Sequence, residues 1–335
     1  MRLLQVRAAI SRRVVAAMAA GVVVAASGCT TRPAGPPGPT RGPVAARIRL
    51  PTVPVWVATG EGSVWALTRQ PVPAVWRIDP RSNRVVGTPT RLPVEPWSLA
   101  VGAGSVWVAP NGADGRLVRI DARTGRISAR ISARPVYFGS VLAFGAGYVW
   151  TGNDDERYRR GTTLSKLDPR TDRVVGRPLV LGSPQSIAFG LGAVWVADHT
   201  GWLVKIDPTR FTVVARQRLA FGPHGVVVAG DAVDVADAHG SRLLAADPAT
   251  AAIRRVRPLP VAPIYPAVGG GSIWSSSAAV WEDRTAQDDR VVRIDPRTLA
   301  VVDTFHLGGN ASAVAFGFGS LWVTVQTGEV VRIVP

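Results

Sequence analysis

Residues 187–198 read IAFGLGAVWVAD. Near copies stand at 100–110, AVGAGSVWVAP, and at 314–325, VAFGFGSLWVTV. Each copy joins two short apolar runs through a Gly-x-Gly step, and the second run carries a tryptophan. Two such runs across a glycine turn predict a β-hairpin, because glycine reaches backbone angles that other residues adopt only under strain. Outward from the hairpin come a variable stretch, a third run, a turn and a fourth run. The third runs end WRIDPR (76–81), VRIDAR (118–123), SKLDPR (165–170), VKIDPT (204–209), LAADPA (244–249) and VRIDPR (292–297).

The unit repeats along the chain. Trp65, Trp107, Trp150, Trp195, Trp274 and Trp322 recur at about 40–48 residues, the period of a propeller blade. One double gap places Asp234 in the tryptophan slot. Two readings of Asp234 stand: a degenerate blade with a wet gap, or a functional carboxylate, since a buried unpaired one is costly or protonated. No helical period occurs, so the expectation is all-β with four antiparallel strands per unit. The tryptophans are expected between neighbouring blades, where truncation typically costs about 3–5 kcal/mol. Asp79, Asp121, Asp168, Asp207, Asp247 and Asp295 are expected to accept backbone hydrogen bonds in Asx-type turns.

The count of units is seven, and the last lacks its fourth run. The missing run stands at the other end: PVAARIRLPT (43–52) resembles the fourth runs RVVGRPLVLG and AVVDTFHLGG. The predicted fold over 44–335 is a seven-bladed β-propeller, closed by the N-terminal strand pairing into the C-terminal blade, which leaves no unpaired inner seam.

Residues 1–28 read as an export signal. Arg2, Arg7, Arg12 and Arg13 precede an apolar run, Val14–Ser27, of signal-peptide length. Ala26-Ser27-Gly28-Cys29 resembles the lipobox of bacterial lipoproteins, with Ala26 where leucine is usual, and this makes Cys29 the lipidation site. Export by the general secretory route is expected, with the twin-arginine route as the alternative suggested by Arg12-Arg13. The expected location is the extracytoplasmic face of a bacterial membrane, held by the lipid anchor. Cys29 is the only cysteine, so no disulfide supports the fold. Residues 29–43 are a Pro/Gly-rich tether with a reach of roughly 40 Å.

The Gly-x-Gly-x-Val-Trp hairpins, the Arg-Ile-Asp-Pro endings and GPHGVVV (222–228) together resemble the virginiamycin B lyase-like and YVTN-type propellers. The resemblance spans nearly all of 44–335 and implies the propeller fold. For activity it implies a metal-assisted lyase or hydrolase as one alternative. The second strands here end Val108-Ala109 and Val196-Ala197, where the lyase-like pattern continues into aromatic-Thr-Glu.

In a propeller the fourth-to-first and second-to-third connections share one face, the top, around the channel mouth. His224 maps there, as do His199 and His239 beside Asp198 and Asp237. Such a set offers acid–base chemistry through His224, His239 and Asp237. It also offers ligands for a divalent metal such as magnesium through Asp198, His199, Asp237 and His239. Isolated polar loop residues are the alternative. Trp97, Ser140, Gln185 and Ile264 map to the channel rim. The long top loops 151–163 and 275–290 add Tyr158 and Trp281, with Asp154, Asp155, Glu156, Glu282, Asp283, Asp288 and Asp289. Trp97, Gln185, His199, Tyr158 and Trp281 are the expected ligand contacts.

The net charge is +16, and the basic residues are arginine except Lys166 and Lys205. Several arginines fall in the bottom turns beside aspartates. No aromatic–basic interleaving is present, so nucleic acid is not an expected partner. Three functions remain open: a monomeric binding module for an envelope protein, a glycan or a small ligand; a metal-assisted enzyme; or an envelope-assembly scaffold.

Overall fold

Hairpins built on the repeated stretch stack into sheets. The computed structural model describes residues 44–69, 71–111, 116–132, 141–152, 162–277 and 288–335. They form seven antiparallel sheets with no helix among the described residues. Blade four shows the pattern, with strands Pro184–Gly190, Ala193–Asp198, Trp202–Asp207 and Thr212–Arg218 from channel to rim. The other inner strands are Pro54–Gly60, Pro96–Gly102, Val141–Gly145, Gly225–Ala229, Pro263–Gly269 and Ala311–Gly317. Each inner strand contacts the next, and Ala311–Gly317 returns to Pro54–Gly60, closing the ring. The outer strand is split in blades one and three, into Arg84–Val85 with Thr90–Arg91 and Arg173–Val174 with Leu179–Val180.

Closure follows the sequence reading. Val44–Arg49 pairs antiparallel with Glu329–Ile333, with Arg47 opposite Val331 and Ile48 opposite Val330. Arg47 and Arg49 both reach Glu329, at 2.9 and 3.3 Å. Val44 lies opposite Ile333 at the bottom, so the chain joins the ring on the face away from His224.

One device recurs at the seams between blades. Trp195 is fully buried against Val226 and Val233 of blade five. Its Nε1 donates to the Gly190 carbonyl at 3.3 Å. Lys205, its cross-strand neighbour, holds Nζ 5.5 Å from the ring centre and donates to the Pro248 carbonyl of the next blade at 2.7 Å. Arg77, Arg119, Lys166, Arg293 and Arg332 stand over Trp65, Trp107, Trp150, Trp274 and Trp322 in the same way. A cation on an indole face, sheltered from water, adds attraction to the packing. Each expected Asx turn is present; the Asp207 carboxylate, for example, accepts from the Thr209 and Arg210 N–H groups at 2.8 and 2.9 Å.

The two glycines of Gly-x-Gly do different work. In blade two the second, Gly104, takes φ +68°, and Ala103 before it takes φ 53°. The first, Gly102, makes room instead: a Cβ there would lie 2.1 Å from the Phe144 ring of blade three. The sequence reading gave both glycines to the turn; the first one belongs to the seam.

Blade five breaks the pattern three times together. Asp234 replaces the tryptophan, Ala245 opposite it replaces the cation, and Ala229 replaces the glycine that accepts the indole N–H. Arg255, cross-strand from Ala245, takes over the reach to the next blade and donates to the Arg297 carbonyl. Asp234 is fully buried, and neither carboxylate oxygen has a hydrogen-bond partner. Burial pushes its pKa up to about 7, with Arg255 opposing and Asp231 adding to the rise.

Candidate functional site

Two constellations occupy the top face. The first lines the central channel. Inner strands leave regular pairing one residue below the mouth, between Pro54 and Trp56, Pro96 and Ser98, Pro184 and Ser186, Ile264 and Ala267, and Ala311 and Val314. A bulge inserts a residue that need not alternate with its neighbours, and so re-aims side chains at the rim. In blade six it displaces Tyr265, whose φ of 41° is a conformation rarely adopted by a residue with a bulky side chain. The Tyr265 ring meets Trp56 of blade one with centroids 5.1 Å apart and planes tilted by 59°.

This pair forms part of the wall of a cavity of about 290 Å³. Most of its lining side chains are apolar, among them Leu142, Ile187, Phe189, Val227 and Val314, while polar atoms, those of Gln185 and Ser186 included, make up about half of the exposed wall. At the rim of blade two, where Pro96 begins the inner strand, Arg69 lays its guanidinium 4.3 Å over the Trp97 ring and donates from Nε to the Pro96 carbonyl at 3.0 Å.

The second constellation is a stack of imidazoles. His199 sits in the tight turn after the second strand of blade four, and His239 in the matching turn of blade five. His224 stands between them just before Gly225–Ala229, with ring centroids 5.2 Å from His199 and 4.9 Å from His239, both edge-to-face. Gly222 permits this approach, because a Cβ there would lie 2.5 Å from the His199 carbonyl oxygen. His224 is buried, and its Nδ1 has no partner. Burial lowers its pKa to about 4, helped by the charges its neighbours would carry and opposed by Asp237. At neutral pH His224 is therefore an uncharged base.

The aspartates beside the stack are engaged elsewhere. Asp198 accepts from the N–H groups of Gly182, Ser183 and Thr200 at 2.6, 2.9 and 2.9 Å. Asp237 accepts from Gly240 N–H and pairs with Arg242 at 2.7 Å. Both carboxylates hold the turns that present the histidines. Among the described residues no group of three or more His, Cys, Asp or Glu side chains is placed to hold a metal ion. The residues named for a divalent ion thus form no ready ligand set, and no chemical step is derived through one.

Placement of the remaining rim residues differs one by one. Gln185 lines the cavity. Trp97 backs Arg69. Ile264 packs against Ala238 and Ala262 at the blade five–six seam, and its neighbour Tyr265 faces the channel in its stead. Asp288 pairs with Arg290 at 2.6 Å and Asp289 with His306 at 2.9 Å, so both brace blade six. Cys29, Ser140, Asp154, Asp155, Glu156, Tyr158, Trp281, Glu282 and Asp283 lie outside the described residues. Sequence reading missed Trp56, Arg69 and Tyr265. Tyr265 followed by Pro266, inside an inner-strand pattern, is the signal that marks a bulge there.

No protein-family model matches the chain, and no curated protein matches it in sequence. Its fold matches the crystal structure of virginiamycin B lyase from Staphylococcus aureus with a TM-score of 0.69, over 87% of this chain and 98% of that one, at 15% identity. At that identity the likeness speaks for the propeller fold.

Proposed function

We propose that this chain is an exported, lipid-anchored binding protein whose ring holds a small ligand at the mouth of its channel. The observation that carries the reading is the Trp56–Tyr265 pair in the wall of a cavity of about 290 Å³ lined mostly by apolar side chains. Ligand sites are typically concave, mostly apolar and dressed with a few fixed polar groups, here Gln185, Ser186 and Arg69. A tyrosine held at positive φ is a strained arrangement of the kind that collects at ligand clamps.

Anchoring is supported by the basic n-region, the apolar run and Cys29. A metal-assisted lyase or hydrolase at His224 and His239 has less support, because Asp198 and Asp237 are committed to their turns.

The ligand reading is tested by a thermal-shift screen of a small-molecule library on the purified chain. Hits are expected to lose about 2 kcal/mol of affinity with Trp56→Ala or Tyr265→Ala, the loss typical of an aromatic anchor. Hits indifferent to both substitutions would refute a site at the mouth. Anchoring is tested by fractionation: Cys29→Ala is expected to move the protein from the membrane to the soluble fraction, and retention would overturn the lipoprotein reading.

A further inference from the structure

We infer that the mouth selects an amphipathic anion: a compact apolar or aromatic body seated in the channel, with a carboxylate or similar group set against Arg69. This rests on the reading of the mouth as a ligand site and adds the chemical class.

The seat accounts for the apolar body. At about 30 Å³ for a water-sized group, the cavity holds roughly ten such groups, and the side chains that line it are mostly apolar, Leu142, Ile187, Phe189 and Val314 among them. Trp56 and Tyr265 both line this cavity, in ring contact with each other.

Arg69 accounts for the anion. It sits half-buried at the top of blade one, beyond the strand Ser63–Thr68. Nε is used on the Pro96 carbonyl, and the plane of the guanidinium is held over Trp97. The two Nη groups have no hydrogen-bond partner among the described residues, and Arg69 forms no ion pair among them. Other arginines of the ring that lie over an aromatic face are committed: Arg119 pairs with Asp172, Arg242 with Asp237, and Arg332 donates to Pro80 and Asn83. Burial works against the charge of Arg69 and lowers its pKa, while the fields of Glu95 and Tyr265 oppose that. Pro96 opens the inner strand Pro96–Gly102 at the channel mouth, so its hydrogen bond to Arg69 sets the guanidinium at the rim. Glu95 makes no ion pair with it among the described residues. A guanidinium with its orientation fixed and its outer edge unused matches the planar fork of a carboxylate.

The test uses three probes of one shape: 3-phenylpropionate, 3-phenylpropan-1-ol and 3-phenylpropylamine. Each is titrated into the purified chain by calorimetry and by ligand-observed NMR. The carboxylate is expected to bind at least tenfold more tightly than the alcohol, with the amine weakest and the preference shrinking as salt rises. Arg69→Met should bring carboxylate and alcohol within about twofold while the alcohol's own affinity holds, and Trp56→Ala should weaken all three. Equal or better binding of the alcohol or amine by the unmodified chain overturns the inference, with no variant needed. So does a carboxylate preference that survives Arg69→Met. If none of the three binds while neutral library hits depend on Trp56, the anion assignment fails and the mouth remains a ligand site. If no compound of any charge depends on Trp56, both fail.

Discussion

His224 and Asp234 are buried titratable groups with displaced pKa values in opposite directions, and their effects on stability have opposite signs. Asp234 has a folded pKa of about 7 against an ordinary 3.8, so folding favours its protonated form. Its contribution is fully present below about pH 4 and is lost as pH rises through 7. His224 has a folded pKa of about 4 against an ordinary 6.5, so folding favours its neutral form. Its contribution is present above pH 6.5 and is lost as pH falls through 4. Between those limits the two slopes oppose each other, and the intact protein should show little dependence on pH from these groups. Single substitutions should unmask them. Asp234→Asn leaves a chain that gains stability from pH 4 to 6.5, and His224→Gln leaves one that loses stability from pH 4 to 7, each by a few kcal/mol, on the order of 1.4 kcal/mol per displaced pKa unit. Urea midpoints at several pH values measure this. Parallel curves for the two variants would show that the buried groups are not what the geometry makes them.

Among the structural elements, the hairpin and its seam carry the fold. Gly102 and Gly104 differ by two positions in sequence, yet alanine at each should fail for a different reason. Gly104→Ala must hold a left-handed φ with open space around it, at a cost of about 1 kcal/mol. Gly102→Ala drives a methyl group into Phe144 of the next blade, an overpacking typically worth about 1–3 kcal/mol. A double-mutant cycle separates them: Gly102→Ala should couple to Phe144→Ala by more than about 1 kcal/mol, and Gly104→Ala should not couple. Chemical denaturation of the four chains gives the answer, and equal coupling would place both glycines in the turn. The hairpins, the Asx turns and the seam tryptophans could be read in advance because each is local or strictly repeated. The conversion of blade five was half visible. Asp234 stood out against six tryptophans, but Ala229 and Ala245 became its companions only once strand register set them beside it. The mouth was least visible, because a bulge depends on how two strands pair rather than on either strand alone. That is why the rim assignment fell on Ile264 while Tyr265 takes the channel.

Across the whole molecule, one strand, Val44–Arg49, decides whether the ring is closed. The blades present their outer edges to solvent, and these carry arginines such as Arg216, Arg218, Arg254, Arg255 and Arg257, a charge pattern that discourages pairing with a second chain. Glu329–Ile333 has no such protection of its own: Val330, Val331 and Ile333 are fully buried beneath Val44–Arg49. Removing residues 44–49 would bare this edge and strip Glu329, now 8% exposed, of both its arginines. The ion pairs themselves matter little, since Arg49 is largely exposed and such pairs contribute about 0–1 kcal/mol. The hydrogen-bonded ladder and the burial of Ile48 and Leu50 against Trp76 and Val330 matter more. Deletion of residues 44–49 should therefore yield a chain that self-associates more than the intact one and is cut by protease near its C-terminus, while Arg47→Ala with Arg49→Ala keeps the intact chain's size in solution and nearly unchanged stability. Light scattering after gel filtration distinguishes the two. A deletion chain that keeps the intact chain's size in solution and its melting temperature would mean the seven blades hold together without their closing strand, and that the bottom-face entry of the chain is incidental to the ring.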